Sequence, residues 1–385
     1  MSLEPSETPF ELPFAPAIAA VGTAVPPHYA TREETCAGLR RLWAGKGDAL
    51  ALVERVQRSI EVRGRHLALP IEAYYDASTF AEQNRRWNTC AIELGEAACR
   101  AALERAGIAA EDVDHIVFVS VTGISAPSLD ARLVGRLGFR RDIKRTPIFG
   151  LGCVAGVAGI ARVADILRAY PAHTALLLSV ELCSLTLQRD DTSAANVIAA
   201  QLFADGAAAV VVRGAQAAWN DARSGAGGGR AGAGGGRAGA GAAAVLATQA
   251  VFYPDTERMM GWDVVDSGFR VVLSAGVPAL VREHVRRDVD GFLARHGLSR
   301  GDVRHWIVHT GGPKVLEAVA ETLELPEGAL DRSWSSLREI GNVSSASVLF
   351  VLRDFLDEPR ARPGDYGVMM AFGPGFCSEI ALLRW

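Results

Sequence analysis

The chain lacks the features that mark several large classes of protein. None of its six cysteines forms a CxxC pair. Cys36, Cys90, Cys99, Cys153, Cys183 and Cys377 are scattered, which argues against a disulfide framework or a zinc site and fits a reducing, cytoplasmic compartment. No run of about 18 uncharged apolar residues occurs, so no membrane span is expected. The net charge is −4, and without a basic field there is no call on nucleic acid. The opening MSLEPSETPFELPF is acidic and has no apolar core segment. It reads as a flexible arm over 1–16 rather than a signal peptide.

What is present is ordinary for a soluble enzyme: 385 residues, 49% hydrophobic and 22% charged. That is enough for a large core or a duplicated body. One segment, 225–244, is low in complexity and carries AGGGRAG twice in succession. Glycine at most positions excludes a coiled coil, because each costs a helix about 1 kcal/mol. The segment reads as a surface loop separating a first half, 17–224, from a second, 245–385.

In both halves, apolar runs alternate with amphipathic stretches. Strands are expected at His115–Ser120, Ala175–Val180, Ala207–Arg213, His305–His309, Gly367–Phe372 and Ser378–Leu383. Helices are expected near 89–106, 154–170, 277–296, 313–324 and 344–356. This pattern is that of a layered α/β body. The halves also resemble each other. RAGIAAEDVDHIVFVS from Arg105 and RHGLSRGDVRHWIVHT from Arg295 share Arg, Gly, Asp, Val and His at matching places.

Several junctions carry residues fit for chemistry. Cys153 follows a β-like run and a glycine turn, where a helix begins. The positive end of a helix favours a thiolate there. A structural buried cysteine fits the segment equally well. His309 closes a strand before Gly311, Gly312 and Pro313. A ligand could approach that backbone, or the ring could simply be satisfied by it. Asn342 lies in a Gly-Asn-Val-Ser-Ser loop, and its side chain could bond the loop to itself. Gly373, Pro374 and Gly375 form either a plain turn or a cavity wall.

Together these segments resemble the chalcone and stilbene synthase family, the type III polyketide synthases. The matching motifs are TGISAPSLDARL, GLGCVAG, LFADGAAA, WIVHTGGP, GNVSSASVLF and AFGPGF. The resemblance implies a thiolase-like αβαβα fold of two similar halves and a homodimer. It implies a decarboxylating Claisen condensation on coenzyme-A thioesters, with acyl-CoA and malonyl-CoA as substrates. No metal, redox cofactor or carrier protein is implied. Cys153 would carry the acyl chain and pair with His309, while His309 and Asn342 would hold the malonyl carbonyl. Phe203 would be the gate of the cavity. Thr122, Cys183, Thr186 and Ser344 fall at lining positions, and Cys183 matches bacterial members. Arg55 and Arg58 would meet coenzyme A alongside Gly311 and Gly312.

The pattern departs at Val271, which stands where the family has a second gating phenylalanine. A wider or reshaped passage is therefore expected, with an aliphatic starter and a pyrone or resorcinol-like product favoured over an aromatic starter. Two rivals share the fold: a carrier-protein-dependent β-ketoacyl synthase and a non-catalytic acyl-CoA-binding protein. His-Thr-Gly-Gly-Pro, in place of His-Gln-Ala-Asn, disfavours the first. The presence of all three polar residues disfavours the second.

Overall fold

The computed structural model describes residues 15–76, 78–218, 242–357 and 361–385. Most of the expected arm and most of the glycine-rich loop lie outside the described residues. At their inner ends two corrections arise. Ala243 and Ala244, expected in the loop, begin a strand, and Pro16 accepts a hydrogen bond from Val245 at 2.8 Å.

The strands are β1 (Ala17–Ala24), β2 (His28–Thr31), β3 (Gly64–Leu67), β4 (His115–Ser120), β5 (Lys144–Phe149), β6 (Thr174–Leu182) and β7 (Asp205–Arg213) in the first half. The second half has β8 (Ala243–Phe252), β9 (Met260–Val265), β10 (Gly268–Leu273), β11 (Val303–Val308), β12 (Tyr366–Gly373) and β13 (Cys377–Arg384). One sheet has the order β11-β12-β13-β8-β1-β7-β6-β4-β5. Its two parts repeat one pairing pattern. β4 is parallel to β6, β6 antiparallel to β7, and β7 antiparallel to β1. Likewise β11 is parallel to β12, β12 antiparallel to β13, and β13 antiparallel to β8. The parts of the sheet join where Ala17 and Ile18 of β1 meet Ala244 and Ala243 of β8, next to the Val245–Pro16 hydrogen bond.

Side-chain alternation along the strands sorts the core into layers. Ile116 and Phe118 pack outward under the helix Phe80–Ala106, while Val117 and Val119 face inward. Trp306 and Val308 pack outward under the helix Val277–Ala294, while Ile307 faces inward. Between the two sheet faces lie the helices Ala155–Ala169 and Ser347–Asp357, each buried over most of its N-terminal two turns. The order is therefore helix, sheet, helices, sheet, helix.

The two central helices cross closely because Gly156 has no side chain. A Cβ there would lie 2.3 Å from the Ser345 carbonyl oxygen. The crossing brings the two helix N-termini together, and with them the glycine turn before Cys153 and the loop carrying Asn342. Among the described residues no helix is long and apolar enough to cross a membrane.

Candidate active site

Cys153 sits in the single turn Gly152–Val154 that leads from β5 into the helix Ala155–Ala169. Gly152 adopts φ 56°, and a Cβ on it would strike Pro374 at 2.6 Å. Gly373 is equally constrained, since its Cβ would meet Val154 at 2.7 Å. Gly152 and Gly373 thus share one cause: the two turns pack too closely beside the sulfur to admit a side chain at either position. Pro374 lines the cavity, whereas Gly373 and Gly375 serve the packing behind it.

His309 follows β11. Its backbone amide donates to Met370 at 3.0 Å, and its carbonyl accepts from Gly311 at 2.9 Å. The ring is buried, and its Nδ1 has no partner. Asn342 is held in the backbone by Leu202 and Ala204, at 2.9 and 2.8 Å. Its Oδ1 accepts from the Ser344 amide at 2.8 Å and from the Ser347 hydroxyl at 3.3 Å. The carbonyl end therefore bonds the loop, which leaves the Nδ2 donors for the cavity that Asn342 lines.

Cys153, His309, Asn342, Ser344, Phe203 and Cys183 all line one cavity of about 450 Å³. The Ser344 hydroxyl lies 3.5 Å from the Cys153 sulfur. Burial pushes the Cys153 thiol up to about 11, against the Ser344 contact that lowers it. Burial pushes the His309 imidazole down to about 4. Burial thus favours a neutral thiol and a neutral ring over the expected ion pair. Cys153's place in the first turn of a helix works the other way. Burial also raises Cys183 well above the ordinary thiol range.

Other expected lining residues are placed differently. Thr122 does not line the cavity; its neighbour Val121 does. The chain bends after β4, and there the Thr122 hydroxyl is engaged behind the cavity wall, donating to Glu181 at 2.8 Å and accepting from Trp87 and Leu182. Thr186 lines a smaller side pocket and donates to the Cys183 carbonyl at 2.7 Å. Along the helix Gly47–Ser59, the cavity face is Leu52, Arg55, Val56 and Ser59, one helical stripe. Arg58 is off that stripe and bonds the Glu54 carbonyl at 3.2 Å. Gly311 and Gly312 do line the cavity, with Lys314 beside them. No Asp or Glu lines it.

Val271 lines the cavity as expected, yet the passage beside it is not left open. In the β9–β10 hairpin Val271 pairs directly with Trp262. That indole lines the same space and stands 6.3 Å, ring to ring, from Phe203. The aromatic bulk has moved across the hairpin rather than vanished. Asp-Ser-Gly between two apolar runs was the turn signal that could have revealed the hairpin.

With this geometry in view, comparison with known proteins is specific. Residues 15–216 match the N-terminal domain of chalcone and stilbene synthases, and 244–385 match the C-terminal domain. The chain belongs to that family and is a type III polyketide synthase, an acyl-CoA-using condensing enzyme. It is 51% identical to the 1,3,6,8-tetrahydroxynaphthalene synthase of Streptomyces peucetius subsp. caesius, over 96% of this chain and 93% of that one. It is 34% identical to a putative chalcone synthase of Bacillus subtilis, over 96% and 98%. The crystal structure of the tetrahydroxynaphthalene synthase of Streptomyces coelicolor superposes with a TM-score of 0.83 at 33% identity, covering 96% of this chain and 99% of that one.

Proposed function

We propose that this enzyme assembles a hydroxylated aromatic polyketide from malonyl units, with no long aliphatic starter. The observation that carries this is Trp262 opposite Val271: the passage expected to admit an alkyl chain is occupied by an indole. The relative at 51% identity is named for a tetrahydroxynaphthalene, a skeleton that two-carbon units alone can build. A second possibility, an aliphatic starter giving a pyrone or resorcinol, is supported by the apolar side chains that make up most of the lining.

Cys153 attacks the starter thioester, the C–S bond to coenzyme A breaks, and an acyl–cysteine forms. His309, neutral when buried, accepts the thiol proton as the sulfur attacks and passes it to the departing coenzyme-A thiolate, which leaves as the free thiol. The next malonyl-CoA then binds with its thioester oxygen toward His309 and the Asn342 Nδ2. Loss of carbon dioxide leaves its electron pair as an enolate, and each donor fixed at that oxygen contributes about 3 kcal/mol. The enolate carbon attacks the acyl–cysteine, a carbon–carbon bond forms, and the cysteine thiolate leaves. Holding one partner covalently turns the condensation into an oriented attack. At the cavity mouth Arg55 and the backbone at Gly311 and Gly312 meet the coenzyme-A phosphates.

We also read the enzyme as a cytoplasmic homodimer. Its free cysteines suit a reducing compartment, and β5, a sheet edge ending in exposed Phe149, offers a face to a second copy. The test of function is mass spectrometry of products from malonyl-CoA alone and from malonyl-CoA with acetyl-, hexanoyl- and longer acyl-CoAs. A product from malonyl-CoA alone is expected. Product only with a long acyl-CoA would favour the second possibility.

A further inference from the structure

A side pocket of about 60 Å³ adjoins the main cavity. The two spaces share Cys183, Phe203, Trp262 and Val271, which form the neck between them. Much of the side pocket is apolar, with Leu39, Leu42 and Ile71 in its wall. Set among them is Arg65, only 8% exposed. Its Nη1 donates to the Phe203 carbonyl at 2.6 Å, and its Nε is buried without a partner.

Among the described residues no carboxylate reaches ion-pairing distance of this guanidinium. Asp205 acts on it only across a longer gap. That carboxyl is itself occupied by the Ala68 amide at 2.6 Å, the Ser184 amide at 2.8 Å and the Ser184 hydroxyl. Neither space is lined by Asp or Glu. A buried cation is unfavourable unless an anion or a full set of acceptors meets it. Here the unmet donor belongs to a residue in the wall of a mainly apolar recess, with Thr35, Tyr74, Ser184, Thr186 and Asn196 among its other polar members, that adjoins the cavity of Cys153.

We propose that the side pocket is an anion subsite in which Arg65 receives the free carboxylate of a dicarboxylic acyl chain carried on Cys153. This rests on the assignment of Cys153 as the acylated residue and of malonyl units as starter. The planar guanidinium suits a carboxylate, and the 60 Å³ recess suits a group of that size. A neutral alkyl end gains nothing from Arg65 and leaves its buried donor unpaired, the arrangement by which polar sites reject apolar analogues. Arg65 thereby selects a malonyl starter over a neutral one, while its bond to the Phe203 carbonyl fixes the neck.

The test compares wild type, Arg65→Met and Arg65→Lys, each checked for an unchanged melting transition, with malonyl-CoA alone and with malonyl-CoA plus hexanoyl-CoA. Wild type given both thioesters at equal concentration is expected to prime with malonyl at least tenfold more often. Arg65→Met is expected to lose malonyl-only turnover at least tenfold more than hexanoyl-primed turnover, and Arg65→Lys to recover part of it. Equal losses on both substrate sets would make Arg65 a support for Phe203 alone and overturn the subsite. Wild type priming equally with hexanoyl would do the same without any variant. Wild type making nothing from malonyl-CoA alone would sink the malonyl-starter assignment, and the subsite with it. Malonyl-only turnover in wild type with equal losses in Arg65→Met would remove the subsite and leave that assignment standing.

Discussion

The turns Gly152–Val154 and Ser344–Ala346 hold equivalent places in the two halves. Each leads into a buried central helix, and each contains a residue in the left-handed region: Gly152 at φ 56° and Ser344 at φ 46°. One turn presents Cys153. The other carries Ser345 at the matching place, and its hydroxyl donates instead to buried Glu181. A second difference lies at the strand ends. The offset of 190 that aligns Arg105 with Arg295 also aligns Val119 with His309 (309 − 190 = 119). Val119 is fully buried core, whereas His309 lines the cavity. The two similar halves thus differ by few side chains at the site: Cys153 comes from one half, His309 and Asn342 from the other.

That division predicts separable losses. Cys153→Ala should lower chain extension on the order of 10³-fold or more, yet leave malonyl-CoA decarboxylation within about tenfold. His309→Ala and Asn342→Ala should each lower decarboxylation by about 10²–10³-fold. Release of labelled carbon dioxide, measured beside product formation, reads both. Decarboxylation persisting in both of the latter variants would remove the assigned roles from the second half.

The crossing of the central helices is the next point at which the halves can be forced apart. A methyl at Gly156 would lie 2.3 Å from the Ser345 carbonyl oxygen, which belongs to backbone and has little room to move. Gly156→Ala should therefore destabilise the fold by about 2–4 kcal/mol and lower the melting temperature. An unchanged melting temperature would mean that the crossing is looser than it stands here.

Glu181 distinguishes the halves through pH. Burial pushes its carboxyl up to about 7, despite hydrogen bonds from Ser345, Thr122, Val121 and Ser120. A carboxyl raised on folding contributes stability that is full below its ordinary 4.5 and lost as pH rises through about 7. His309, lowered to about 4, works in the opposite sense: its contribution is present above 6.5 and lost as pH falls toward 4. In wild type the two trends offset. Glu181→Gln removes only the first, so its stability relative to wild type should rise by about 3 kcal/mol between pH 4 and pH 8. Urea unfolding at several pH values reads the difference, and a flat difference would mean Glu181 is not buried as a single titrating carboxyl.

Much of this was legible in the sequence, and the exceptions have physical reasons. β4 stands where the apolar run His115–Ser120 was expected, because a strand buried on both faces needs no alternation to announce it. The long helix begins at Phe80, not near 89, because Thr79 and Glu82 form a capping box ahead of a polar first stretch. β8 was hidden because it starts Ala-Ala beside a glycine-rich segment and has little β-propensity at that end. Motifs placed Cys153, His309 and Asn342 in one cavity. They missed by one residue at Val121 and Thr122, because in the bend after β4 the hydroxyl of Thr122 is taken up by Glu181, Trp87 and Leu182, partners distant in sequence. They missed Trp262 because its effect on Val271 is a cross-strand pairing, not a neighbour in sequence.

The smallest expected effect concerns a side-chain contact between the two turns, Ser344 to Cys153. This hydroxyl lowers the thiol against the larger effect of burial. Without it the thiolate fraction at a given pH should fall, by a factor set by one modest hydrogen bond. Ser344→Ala should slow alkylation of Cys153 by iodoacetamide at pH 8 about fivefold. In wild type that rate should climb with pH toward about 11. Ser345→Ala, which alters the matching residue of the same turn but addresses Glu181, should leave the rate within about twofold. A rate already flat near neutral pH in wild type would show that the helix N-terminus and His309 together overcome burial. Cys153 would then rest as a thiolate, and the second half would supply a cation rather than a neutral ring.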